Sequence, residues 1–80
     1  MIHAKRSEFR VESDPKGNRR VTFTGSINAP SVEIPIEVIR SDVAHEMAKG
    51  GGVFPGYPAE REYNAAVSIA AEQMGIALDD

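Results

Sequence analysis

Three short stretches in the first half of the chain alternate apolar and polar residues with a period of two, the pattern of strands with one buried face. They are Glu8-Phe9-Arg10-Val11-Glu12, Arg20-Val21-Thr22-Phe23-Thr24 and Val32-Glu33-Ile34-Pro35-Ile36. Between the first two lies Asp14-Pro15-Lys16-Gly17-Asn18, dense in turn formers. Closing a hairpin over these five residues sets Ser13 opposite Arg19, Val11 opposite Val21, Phe9 opposite Phe23 and Glu12 opposite Arg20. One register thus matches apolar with apolar and acid with base, and a one-residue slip would destroy both matches. For the third stretch, a four-residue connection over Ile27-Asn28-Ala29-Pro30 pairs Ser26 with Ser31, Gly25 with Val32, Phe23 with Ile34 and Val21 with Ile36. Pro35 has no N–H to give a ladder, so the third strand is expected at an edge with that position turned outward.

The second half changes period. Ile39, Val43 and Met47 recur at helical spacing over 37–49, and Gly50-Gly51-Gly52 ends that helix. A rival reading begins the helix at Pro35, since proline suits a first helical position. A second helix is predicted over 58–74: Pro58 at its start, Glu60 and Glu62 near the positive end of its dipole, and an apolar face of Tyr63, Ala66, Val67, Ala70 and Met74. Gly75 fits the left-handed residue after its end, with Ile76 and Leu78 folding back onto the core. The expected fold class is α+β, a three-stranded antiparallel β-meander in the order 1-2-3 followed by two helices packed on its apolar face. Residues 1–6 read as a flexible N-terminus, 7–36 as the meander, 50–57 as a loop rich in Gly, Pro and aromatics, and 75–80 as a tail.

Eighty residues allow one domain, and a chain this short buries only roughly 60% of its unfolded surface, which leaves little material for a deep cleft. There is no cysteine, which removes disulfides, thiolate metal sites and thiol chemistry. With no apolar run of signal-peptide or membrane-spanning length, a cytoplasmic location is expected and no membrane contact. The net charge of −3 is uneven. Residues 1–20 hold six basic and three acidic side chains, whereas 21–80 hold three basic and nine acidic ones.

Candidate chemistry is sparse. Asp42, His45 and Glu46 share a helix face by their spacing, which is also the ordinary composition of a solvated helix face, so no metal and no cofactor is expected. No nucleophile elbow is present, no serine is aimed at His45 by the predicted fold, and catalysis is not expected. The glycine-rich segment 50–58 lacks both the Lys-Ser/Thr pair and the preceding strand of a phosphate loop. It does hold Phe54 and Tyr57, which either plug the core or serve as anchors for a partner.

Two surfaces remain. The acidic remainder, with Glu46, Glu60 and Glu62 beside Phe54 and Tyr57, suits a protein partner, such as a basic nucleic-acid-binding complex whose phosphate sites carboxylates would occupy. In size, charge and lack of cysteine the chain resembles phage- and mobile-element-encoded inhibitors of bacterial complexes, and that resemblance implies an inhibitor or adaptor. The alternative is direct nucleic-acid binding, with Lys16, Arg19 and Arg20 of the first hairpin on phosphates. The exposed edge of the third strand further allows a homodimer.

Overall fold

The computed structural model describes residues 2–48 and 58–79, with side chains for 2–45 and 60–79. The chain runs β1 (Ile2–Ala4), a single 3-10 turn (Arg6–Glu8), β2 (Phe9–Ser13), β3 (Arg19–Phe23), β4 (Ser31–Ile34), α1 (Ile36–Ala48), α2 (Pro58–Met74) and β5 (Ile76–Leu78). This is an α+β fold with a three-stranded antiparallel sheet ordered β2-β3-β4 and two helices. To that predicted meander the structure adds a second sheet, in which β1 and β5 run parallel.

The first hairpin has the predicted register in full, from Phe9 opposite Phe23 to Ser13 opposite Arg19. Its turn is built by Asp14, whose Oδ1 accepts the N–H groups of Lys16 (2.9 Å) and Asn18 (2.8 Å), while Gly17 takes the left-handed conformation at φ 87°. The next pairing departs from expectation. Val21 faces Val32 and Arg19 faces Ile34, a shift of four residues along β4. The shift has an identifiable cause. β3 stops at Phe23, and Thr24 ties itself to the Glu8 carbonyl through both its N–H (2.7 Å) and its hydroxyl (2.8 Å). Gly25 then passes so close under the Phe23 ring that a Cβ there would sit 2.8 Å from two ring carbons. The connection therefore needs residues 24–30, including a turn closed by Ala29 N–H on the Ser26 carbonyl (3.1 Å). Because four is even, the same side chains of β4 still face inward.

Ile36 and its neighbours are thereby released to the helix. The Pro35 carbonyl accepts the N–H groups of Val38 (3.0 Å) and Ile39 (3.3 Å), so proline is the cap of α1 and not its first residue. The Ile36 N–H is satisfied from outside the helix by Asn18 Oδ1 at 3.1 Å, which fastens the hairpin turn to the start of α1.

Helix α2 is the centre of the packing. It lies against β2, β3, β4 and β5, and α1 packs chiefly on α2, so of the two helices predicted on the apolar face α2 makes the main contact with the sheet. The predicted face of α2 is inside, with Ala66, Val67 and Ala70 fully buried and Tyr63 and Met74 partly so; Ala65 and Ala71 are buried as well. Opposite them stand Phe9, Val21, Phe23 and Ile34, with Ile39 of α1 closing the side. The Phe9 and Phe23 rings lie 5.1 Å apart at 35°.

The N-terminus departs from its expected flexibility. Ile2, His3 and Ala4 pair with Ile76, Ala77 and Leu78, and Asp79 N–H donates to the Ala4 carbonyl at 3.0 Å. Gly75, at φ 72°, is the left-handed residue anticipated after α2 and turns the chain into β5. Arg6 anchors the segment further. Its guanidinium donates to the Asn64 carbonyl (3.0 Å) and to Ser68 Oγ (3.1 Å), while the Tyr63 hydroxyl lies between the carbonyls of Arg6 (3.1 Å) and Phe9 (3.0 Å). Arg6→Met, which keeps the aliphatic bulk and removes the charged donors, is expected to cost about 1.5–3 kcal/mol. Urea unfolding checks this; an unchanged midpoint would show that the guanidinium contributes nothing.

Candidate protein-docking site

Consecutive strand residues point to opposite faces, and this separates the basic residues of the hairpin. Arg19 points to the helix side, where it bonds the Gly17 carbonyl and reaches Glu62 of α2 at 3.3 Å. Arg20 points to the open side and pairs with Glu33 at 2.9 Å, while Glu12, opposite it on the other flank, binds Arg10 at 3.3 Å. Lys16 stands at the exposed tip and Arg20 on the outer face opposite Glu12, both as the sequence reading has them, but Arg19 faces the other way. The open face of the sheet is thus a lattice of alternating charge, Arg10, Glu12, Arg20 and Glu33, around the buried Thr22. The charges of these four side chains cancel.

Of the proposed acidic contacts, Glu60 is exposed in the first turn of α2. Glu62 is half-buried against Arg19 and holds the sheet to α2. Glu46 lies in α1, one turn beyond Asp42, and its side chain is outside the described residues. Phe54 and Tyr57 also lie outside them.

A different concentration of groups emerges along α1. Glu37, Val38, Ser41, Asp42 and His45, with Ile69 of α2, line a groove of about 490 Å³. Helical spacing brings them together: 38, 41, 42 and 45 recur at three and four residues, so they form one strip beside the buried Ile39. Val38 decides the character of the strip. It is 45% exposed, and of the exposed large apolar side chains among the described residues, Ile2, Ile27 and Val38, it alone lines this groove. Sequence reasoning finds Asp42 and His45 by their spacing but not Val38, which lies off the apolar stripe of Ile39, Val43 and Met47 and carries no polar group to mark it. Ile69 belongs to a helix whose predicted stripe passes it by.

The arrangement offers two carboxylates, a hydroxyl and an imidazole beside an apolar floor. Among the described residues no group of three or more His, Asp or Glu is placed to hold a metal ion. His3, the other histidine, bonds Asp79 at 2.9 Å on the exposed β1–β5 edge. No helix among the described residues is long and apolar enough to cross a membrane. Neither any known protein family, nor any curated protein, nor any solved structure matches the chain.

Proposed function

We propose that this domain is a non-enzymatic protein-binding module that docks a basic segment of a larger complex along α1. The observation that carries the reading is the groove in which Glu37 and Asp42 flank the exposed Val38 and the partly buried Ile69. Carboxylates beside an apolar floor suit a partner presenting Lys or Arg next to an aliphatic or aromatic anchor. A bacterial nucleic-acid-handling complex presents such surfaces, and an inhibitor or adaptor occupying one would place carboxylates where phosphates otherwise sit. Glu46 extends the same helix by one turn, and Glu60, Phe54 and Tyr57 belong to the neighbouring end of the helical pair in sequence.

The alternative, phosphate binding by Lys16, Arg19 and Arg20, is disfavoured by geometry: Arg19 and Arg20 lie on opposite faces and each is tied to a carboxylate. The test is capture from a bacterial extract, followed by titration of the captured protein. Glu37→Lys/Asp42→Lys is expected to weaken binding at least about tenfold, equivalent to 1.4 kcal/mol, with an unchanged melting temperature. The triple alanine variant of Lys16, Arg19 and Arg20 should bind as wild type. Duplex DNA retention that falls steeply with salt and vanishes in the triple variant would reverse the assignment.

A further inference from the structure

The antiparallel sheet has two edges, and they are not equivalent. The Thr24 N–H on the Glu8 carbonyl and the Phe23 N–H on the Pro30 carbonyl (2.9 Å) establish the phase of both ladders. On β2 the groups of Arg10 and Glu12 face β3, and those of Phe9, Val11 and Ser13 face out. That edge is obstructed at its start, where the Phe9 carbonyl accepts the Tyr63 hydroxyl. On β4, Val32 and Ile34 face β3, whereas the N–H and C=O of Ser31 and Glu33 face out. Both residues are exposed, and among the described residues no hydrogen bond reaches these outward backbone groups.

We infer that β4 pairs antiparallel with β4 of a second copy of this chain, joining two three-stranded sheets into one of six strands. The β4 edge shares no residue with the α1 groove. Only one register satisfies the edge. Setting Ser31 opposite Glu33 of the second copy makes all four outward N–H groups of the pair donors to carbonyls, with Val32 opposite its own symmetry mate. Ser31 and Glu33 also share the open face, so each serine hydroxyl stands across from a carboxylate.

The competing registers fail for named reasons. Centring on Glu33 puts like charges directly opposite and sets Ser31 against Pro35, which has no N–H. Centring on Ser31 sets Glu33 against Ala29, which has left the strand conformation at φ 42°. Registers of odd offset pair an outward residue with an inward one. Pro35 and Ala29 thus restrict the edge to one short window, and Arg20, 2.9 Å from Glu33, offsets the charge brought to the two-fold axis. The assembly closes at two copies, because pairing consumes both β4 edges.

Sedimentation equilibrium from low concentration up to about 1 mM, with amide exchange on the same samples, tests this. The weight-average mass should rise from 8.7 kDa toward twice that value. The Ser31 and Glu33 amides should slow in exchange as the mass rises, while the inward Val32 amide is protected throughout. Ser31→Pro removes an outward N–H without touching the β3–β4 ladder, and should shift the midpoint concentration upward at least about tenfold. A mass that stays at 8.7 kDa over the whole range overturns the inference. So does a dimer in which the wild-type Ser31 and Glu33 amides still exchange fast.

Discussion

Replacing Phe23 with alanine is expected to leave most of the chain unfolded at physiological temperature. Phe23 is 4% exposed, faces Phe9 in the ladder and meets its ring at 5.1 Å, under the alanine-rich face of α2. Phe→Ala in a packed core costs about 3–5 kcal/mol, the lost transfer energy plus the cavity left behind. An 80-residue domain has on the order of 4–12 kcal/mol in total. The substitution therefore removes about a quarter or more of the margin, and at the lower end all of it. The surroundings cannot collapse to fill the space, since Ala65, Ala66 and Ala70 have no longer side chains to swing into it. Loss of the cooperative thermal transition in circular dichroism is the expected result. Phe23→Leu should retain that transition, and a Phe23→Ala variant melting like wild type would place the core elsewhere.

The second large effect concerns the opposite end of the fold. A chain beginning at Lys5 lacks β1, and β5 then loses the strand it pairs with. The buried Ala4 disappears, and Ile76, now 8% exposed, is uncovered. The expected cost is on the order of 2–4 kcal/mol, from a few backbone hydrogen bonds at about 1 kcal/mol each plus the apolar area returned to water. Exchange of the Ile76, Ala77 and Leu78 amides should become fast, while the β2–β3 ladder retains its protection. The His3–Asp79 pair is exposed and contributes little of this. If the midpoint of urea unfolding does not move, residues 1–4 carry no structural role.

That effect marks where sequence reasoning stops. The hairpin of β2 and β3 was legible because two independent patterns, apolar alternation and charge matching, agree on one register. The pairing of β4 was legible only in parity. A shift of four keeps every inward residue inward, and alternation alone cannot tell such registers apart. What distinguished them was the close approach of Gly25 to the Phe23 ring, a three-dimensional fact. Ile2-His3-Ala4 offers three residues, no alternation and no adjoining turn, and its partner lies at the other end of the chain. Parallel pairing leaves no local trace.

The candidate site divides in the same way. Asp42 and His45 are visible as neighbours on a helix, but Val38 lies off the apolar stripe of Ile39, Val43 and Met47 and its exposed position in the groove has no signal of its own. By sequence Glu62 is available to a partner, and its pairing with Arg19 spans forty-three residues that no local pattern links. Arg20 was matched to Glu12, its ladder neighbour, yet its guanidinium bonds Glu33 on the other flank. A central strand offers each side chain two cross-strand neighbours, and only the later strand's register reveals the second.

The parallel pairing of β1 with β5 also governs the order of events during folding. The β2–β3 hairpin closes over five residues and α2 forms from local contacts, both on fast timescales. Joining β1 to β5 encloses nearly the whole chain, so its entropy of closure is repaid only once the sheet and α2 already hold the two ends near each other. During synthesis β5 emerges after β2, β3, β4 and both helices, and β1 waits for it throughout. Made before the sheet and the helices, β1 is among the last strands to be placed.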